Sequence, residues 1–281
     1  MENDLNQKLV WSEEFDGTEG SSINQAYWTF DIGDGSAYQI PGWGNQEREY
    51  YVKEAAKLDG NSNLEIHARR MYVSESNHHY SPPEISEFMT YYKTPAEWLS
   101  SKLTTYKRVA FQYGRIEARI KVPQGAGTWP ALWMLGTDIQ HTTWPVCGEI
   151  DILETKGDLP TTVFGTLHGP GYCAAEGKGE VFDTNISLAD DFHIFAIEWI
   201  ENQITWFMDG NQFLQIKASD ISPLEWVYNK PFYLILNLAM GGNFAGEIDS
   251  KLREAKLQVD YIRHYSINGV GQFFHANEID W

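Results

Sequence analysis

Cysteine is nearly missing from this chain of 281 residues: Cys147 and Cys173 are the only two. Two thiols allow at most one internal disulfide and cannot build a cysteine metal cluster. No apolar run approaches the roughly 20 residues that span a bilayer. Positive charge is scarce as well, with 21 Lys and Arg against 39 Asp and Glu, a net charge of −18. Such a surface does not hold a phosphate backbone. It disfavours anionic membranes and, less strongly, sulfated or uronic polysaccharides. A neutral polymer suits it better, although an ordinary acidic surface accounts for the same charge. Helical periodicity is weak, and a short turn over Pro95–Ser100 is the most that the pattern predicts. Repeats and low-complexity linkers are lacking, and all-β domains reach this length, so residues 1–281 are expected to form one domain. The opening Met1-Glu2-Asn3-Asp4-Leu5 has neither the basic nor the hydrophobic region of an export signal. The chain is therefore expected to be either cytosolic or the mature part of an exported protein.

What the chain does have is β pattern and aromatic rings. Ile116, Ala118, Ile120 and Val122 alternate with Arg115, Glu117, Arg119 and Lys121, a half-buried strand. Residues Ile194–Ile200 and Gln203–Met208 read as strands, and Asp209-Gly210 is a hairpin turn into Phe213–Ile216. Pro231–Leu238 is an apolar run, and Leu257–Tyr265 reads as a last strand. The segment Met71–Leu99, with His78-His79 and Pro82-Pro83, has no period and reads as an insertion. His78 and His79 fit an exposed loop better than a metal site. Aromatics are 14% of the chain with 11 Trp, a content that suits sugar stacking and large β cores alike.

The segment Gly148-Glu149-Ile150-Asp151-Ile152-Leu153-Glu154 carries the chemistry. In a regular strand Glu149 and Asp151 would share one face and Glu154 the other. Burying an acid on an apolar face is costly. One extra residue near Ile152-Leu153, a β-bulge, resolves the conflict by bringing all three acids to one side. The two glutamates would then stand about four strand steps apart, roughly 13 Å between Cα atoms. Side chains leaning together on a concave sheet could close that to roughly 5–5.5 Å, the carboxyl spacing of a retaining glycosidase. Asp151 between them would keep the two glutamates electrically distinct. A solvent-facing acidic strand is the alternative.

This segment resembles the signature of glycoside hydrolase family 16, in the bulged form of its laminarinases. Gly42-Trp43-Gly44-Asn45-Gln46-Glu47 is similar to that family's early cleft loop. Residues 113–121 and 127–135 are similar to the strands before the catalytic one, and Gly165–Gly169 to the strand after it. Asn237–Asn243 is similar to a late cleft loop. The resemblance implies an all-β fold, a curved, concanavalin-like β-jelly-roll sandwich with a substrate cleft on its concave face. It implies Glu149 as nucleophile, Glu154 as acid/base and Asp151 as the assisting acid, with His168 near them. Trp129 and Trp133 share a strand parity and are candidate sugar platforms. Trp43 and Asn45 would bind the non-reducing side of the substrate, with Trp144 a further candidate for that wall. The implied activity is internal cleavage of β-1,3-glucan with retention. Mixed-linkage glucan, agar- or carrageenan-type galactan, and a non-catalytic glucan-binding lectin stay open.

Catalysis of this kind needs no cofactor. The resemblance also implies a structural calcium near Glu14, Gly60 and Asp260, whose oxygens suit that ion. Asp260 suits an ordinary salt bridge equally well. The expected partner is a neutral β-glucan, with no nucleic acid and no membrane, acted on by a secreted or cell-surface monomer. Two departures stand out: the Met71–Leu99 insertion, and Phe244 where laminarinases often carry Trp.

Overall fold

Alternation along Gly114–Lys121 becomes the first layer of the structure, a computed structural model that describes residues 6–73, 79–80 and 97–281. Ile116, Ala118 and Ile120 are fully buried, while Glu117, Arg119 and Lys121 reach solvent. The strand lies between His193–Ile200 and Glu254–Ile267 in a ten-stranded sheet. A nine-stranded sheet covers it. That sheet runs from Lys178–Asp183 through Thr162–His168, Glu149–Glu154 and Thr128–Gly136 to Phe232–Met240. The two sheets form the curved jelly-roll sandwich that the sequence implied. Trp199, Trp206 and Phe195 of one sheet meet Leu132, Met134, Ile150, Ile152 and Leu153 of the other in a common core.

The apolar run at 231–238 is the buried strand Phe232–Met240, which pairs with Thr128–Gly136 along its full length. The hairpin after Met208 forms as expected. Asp209 and Gly210 have φ values of 48° and 77°, the left-handed pair that matches strand twist in a two-residue turn. Of the helical turn expected over 95–100, residues 95 and 96 lie outside the described residues, and the rest is not helical. Trp98–Ser100 is a strand, parallel to Glu49–Tyr51 and antiparallel to Arg69–Arg70. Trp98 and Leu99 are both buried, and a three-residue stretch flanked by two strands satisfies its backbone in a ladder rather than in a helix. Of the 71–99 insertion, residues 74–78 and 81–96, including His78, lie outside the described residues. Cys147 and Cys173 are both free thiols.

The expected bulge is present at Ile152. On one side Leu132 pairs with Leu153 and Trp133 with Asp151, so Ile152 has no partner. On the other, Asp151 pairs with Thr166 and Glu154 with Phe164, leaving Ile152 and Leu153 opposite Gly165 alone. Ile152 and Leu153 are each 1% exposed. Beside the irregularity Trp206 reaches across from the opposite sheet: its indole N–H donates to the Asp151 carbonyl at 2.7 Å, inside the core. Gly165 makes room for that ring, since a Cβ there would stand 2.7 Å from Trp206 Cδ1. Replacing Trp206 with Phe is expected to lower unfolding free energy by about 1–3 kcal/mol, because a buried carbonyl loses its donor. Urea denaturation measures that loss. Activity should fall with it, since the acids' alignment depends on the bulge; lost stability with unchanged kcat would separate the two.

Candidate active site

The bulge delivers Glu149, Asp151 and Glu154 to the outer face of the nine-stranded sheet, and the ladders set their neighbours. Glu149 lies between Leu135 and His168, Asp151 between Trp133 and Thr166, and Glu154 between Ala131 and Phe164. Small Ala131 leaves space over Glu154. The Trp144 indole N–H donates to Glu149 Oε2 at 2.6 Å, and the Trp129 indole N–H donates to Glu154 Oε1 at 2.9 Å. Each glutamate thus has its own indole donor. His168 Nε2 stands 3.3 Å from Asp151 Oδ2 and 3.9 Å from Glu149 Oε1.

Three carboxyls in one partly dry cluster cannot all ionise at ordinary pH. Burial, followed by the charge of Asp151, pushes Glu149 up to about 8; His168 and the Trp144 N–H pull the other way. Burial, followed by the charge of Glu149, pushes Glu154 to about 7, opposed by Trp129, His168 and Lys156. Asp151 is held well above the usual carboxylate range by burial and by Glu154. These protons belong to the cluster rather than to single residues. The trio Glu149, Asp151 and His168 also places its ligand atoms within 4.8 Å of one another. With Glu154 and Trp129 on the same face, the arrangement suits carboxylate acid–base work on a stacked ring.

Trp43, Asn45 and Trp133 form a second group. Lys102, only 8% exposed, sets its ammonium 3.9 Å from the Trp43 ring centroid and 5.2 Å from that of Trp133, and pairs with Asp31 at 3.5 Å. The Trp133 indole donates to Asn237 Oδ1 at 2.7 Å, and Asn237 Nδ2 donates to the Tyr51 hydroxyl at 3.1 Å. Tyr51 donates to Glu47 Oε2 at 3.2 Å, and Asn45 Nδ2 donates to Glu47 Oε1 at 3.0 Å. The early cleft loop is thereby tied to the sheet floor. Lys102 and Tyr51 are not among the residues singled out from sequence, and Asn237 enters there only as the first residue of the late cleft loop. Asn237, the polar residue between Leu236 and Leu238 of an apolar strand, was the available signal.

Glu14, Gly60 and Asp260 do not join this site. Glu14 is bonded to Arg263 through both oxygens, at 2.9 and 2.7 Å, and Asp260 to Arg119 at 2.6 Å. Gly60 lies in the Asp59–Asn63 turn, against the backbone of Glu19. Both carboxylates are already charge-paired, so a calcium ion here would rest on backbone carbonyls, and no step of the chemistry is routed through it.

The sandwich and its acid cluster define a glycoside hydrolase. Residues 43–263 match the family described as Glycosyl hydrolases family 16, and the chain belongs to it. It is 32% identical over 274 residues to glucan endo-1,3-beta-glucosidase A1 of Niallia circulans, covering 92% of this chain and 37% of that protein's length. It is 34% identical to a beta-glucanase of Rhodothermus marinus, covering 92% and 85%. Among solved structures, the laminarinase catalytic domain of Thermotoga maritima superposes with a TM-score of 0.81 at 40% identity, covering 92% and 98%.

The raised carboxyls couple stability to pH. The folded cluster holds protons above 4.5, where the unfolded glutamates have released theirs. This contribution is complete below about 4.5 and is lost as pH rises through the folded values near 7 and 8. Urea midpoints should therefore fall between pH 5 and 9. Asp151→Asn should flatten that fall by removing one of the mutually repelling charges.

Proposed function

We propose that this chain is a retaining endo-β-1,3-glucanase that works as one catalytic unit, a secreted or cell-surface monomer acting on neutral glucan. The observation that carries the proposal is the bulge that sets Glu149 and Glu154 on one face, each with its own indole donor. The names of the relatives and the aromatic lining of the cleft support it.

Glu149 attacks the anomeric carbon as Glu154 gives its proton to the departing glycosidic oxygen. The C–O bond to the leaving sugar breaks, and a covalent glycosyl ester forms on Glu149. Asp151 shares a proton with Glu149 and takes it up as the nucleophile's charge is needed. Forming the ester removes the charge of Glu149, one of the causes that raise Glu154. Glu154 then stays ionised, takes a proton from water, and the hydroxide oxygen joins the anomeric carbon as the ester breaks. Trp43 and Asn45 hold the non-reducing side of the chain, and Trp129 and Trp133 face the sugars from the floor.

Replacing Glu149 with Gln should abolish nearly all activity, at least 10³-fold by the scale of lost nucleophiles. Glu154→Ala should regain turnover with azide on substrates with good leaving groups, giving a β-glycosyl azide. Proton NMR of a fresh laminarin digest should show the β-anomer first; an α-anomer first would refute retention. A panel of laminarin, barley β-glucan, agarose and carrageenan, with products sized, tests the specificity. Early oligosaccharides of mixed length from laminarin are expected. Agarose cleavage without laminarin cleavage would move the enzyme to galactan, and no new reducing ends on any polymer would favour the lectin. Asp151→Asn should lower the rate and also shift the bell-shaped pH profile; a lower rate alone would make it a structural prop.

A further inference from the structure

Beyond Glu154 the catalytic strand continues for two more ladder bonds. Thr155 N–H donates to the Pro130 carbonyl at 3.3 Å and Gly157 N–H to the Thr128 carbonyl at 3.0 Å. These bonds extend the register that sets Ala131 opposite Glu154 and bring Lys156 level with Trp129. Gly157 has no room for a side chain, since a Cβ would come within 1.8 Å of the Gly125 carbonyl oxygen. The backbone of Lys156 is thus fixed on both sides, and its side chain shares the cleft face with Glu154 by strand parity.

The ammonium of Lys156 sits 4.1 Å from the Phe244 ring centroid and 5.3 Å from that of Phe164. Phe244 lies 4.9 Å from Trp129 and 5.1 Å from Phe164. These are the rings that frame Glu154: Trp129 donates to it, and Phe164 is its cross-strand neighbour. Among the described residues no carboxylate comes within 4.0 Å of Lys156 Nζ. A ring quadrupole holds a cation in place without cancelling its charge, as a carboxylate would. The site therefore has a placed, uncompensated positive charge two residues from its acid/base. The other charged or titratable groups facing Glu154 are Glu149 and Asp151 on its own strand and His168 on the neighbouring one.

We infer that Lys156, seated on Phe244 and Phe164, is a positioning residue for the reaction, a fixed cation that acts through Glu154 and sets the upper pH limit of catalysis. The inference rests on the assignment of Glu154 as acid/base. A cation there favours the ionised form, which makes Glu154 a readier proton donor to the leaving sugar and brings the alkaline limb to lower pH. Phe244, with Phe164 beside it, is the seat of the charge.

The test is the pH dependence of kcat/KM on laminarin for the wild-type chain and for K156M, K156R and K156E. In K156M the alkaline limb should move upward by about 0.5–1 pH unit, the scale of one partly solvated charge acting over several Å. K156E should move it roughly twice as far, and K156R should leave it near its wild-type position. Added salt should shrink the differences. A merely structural lysine would change the rate without this ordering by charge. A limb that stays put in K156M and K156E, or that moves equally in K156R, overturns the inference while leaving the glucanase assignment standing. A wild-type chain inactive on every glucan removes the assignment, and the inference with it.

Discussion

The hydrogen bond between the Trp206 indole and the Asp151 carbonyl is the contact on which the active face depends. A β-strand that carries three acids and three aliphatic residues in six positions cannot satisfy both faces with regular alternation. One extra residue, Ile152, reconciles them, next to a backbone carbonyl that faces the dry core. The opposite sheet supplies a donor to that carbonyl, and Gly165 supplies the space for the ring that carries it. Packing between layers and alignment of the three acids are thus one problem with one solution.

Electrostatics follow from that alignment. Crowded carboxyls raise one another's proton affinity, and the surroundings then distinguish them. Glu149 meets His168 and Trp144; Glu154 meets Trp129 and, farther along the strand, a lysine poised on phenyl rings. Asp151, 2% exposed, is the driest of the three. The cluster changes character during a reaction because its charges are mutual: neutralising one residue alters the others without any movement of the backbone.

Much of this was legible in the sequence because acids on a core strand are costly and period-two patterns leave few ways to place them. The bulge followed from Glu149, Asp151 and Glu154 alone, and the hairpin followed from Asp209-Gly210. The short strand at Trp98–Ser100 was not legible, since three residues cannot show a period and its partners lie at Glu49–Tyr51 and Arg69–Arg70. The role of Lys102 was hidden for a similar reason: its neighbours Trp43 and Trp133 are distant in the chain, and only the fold makes them a pair. Pairing of Glu14 and Asp260 with arginines likewise depends on cross-strand distances that spacing does not encode.

The chain of hydrogen bonds from Trp133 through Asn237, Tyr51 and Glu47 to Asn45 has a bearing on evolution by recombination. Cleft loops are usually regarded as parts that can be exchanged between homologues. Here the loop's anchor is buried in two separate strands, and the late loop is joined to it by the Glu49 carboxylate on the Met240 N–H and by Asn243 N–H on the Asn45 carbonyl. A graft that carries residues 42–48 alone would arrive without Tyr51 and Asn237. The heritable unit is the pair of loops together with their anchoring strands, so specificity in this scaffold should travel between lineages in large blocks rather than in single loops.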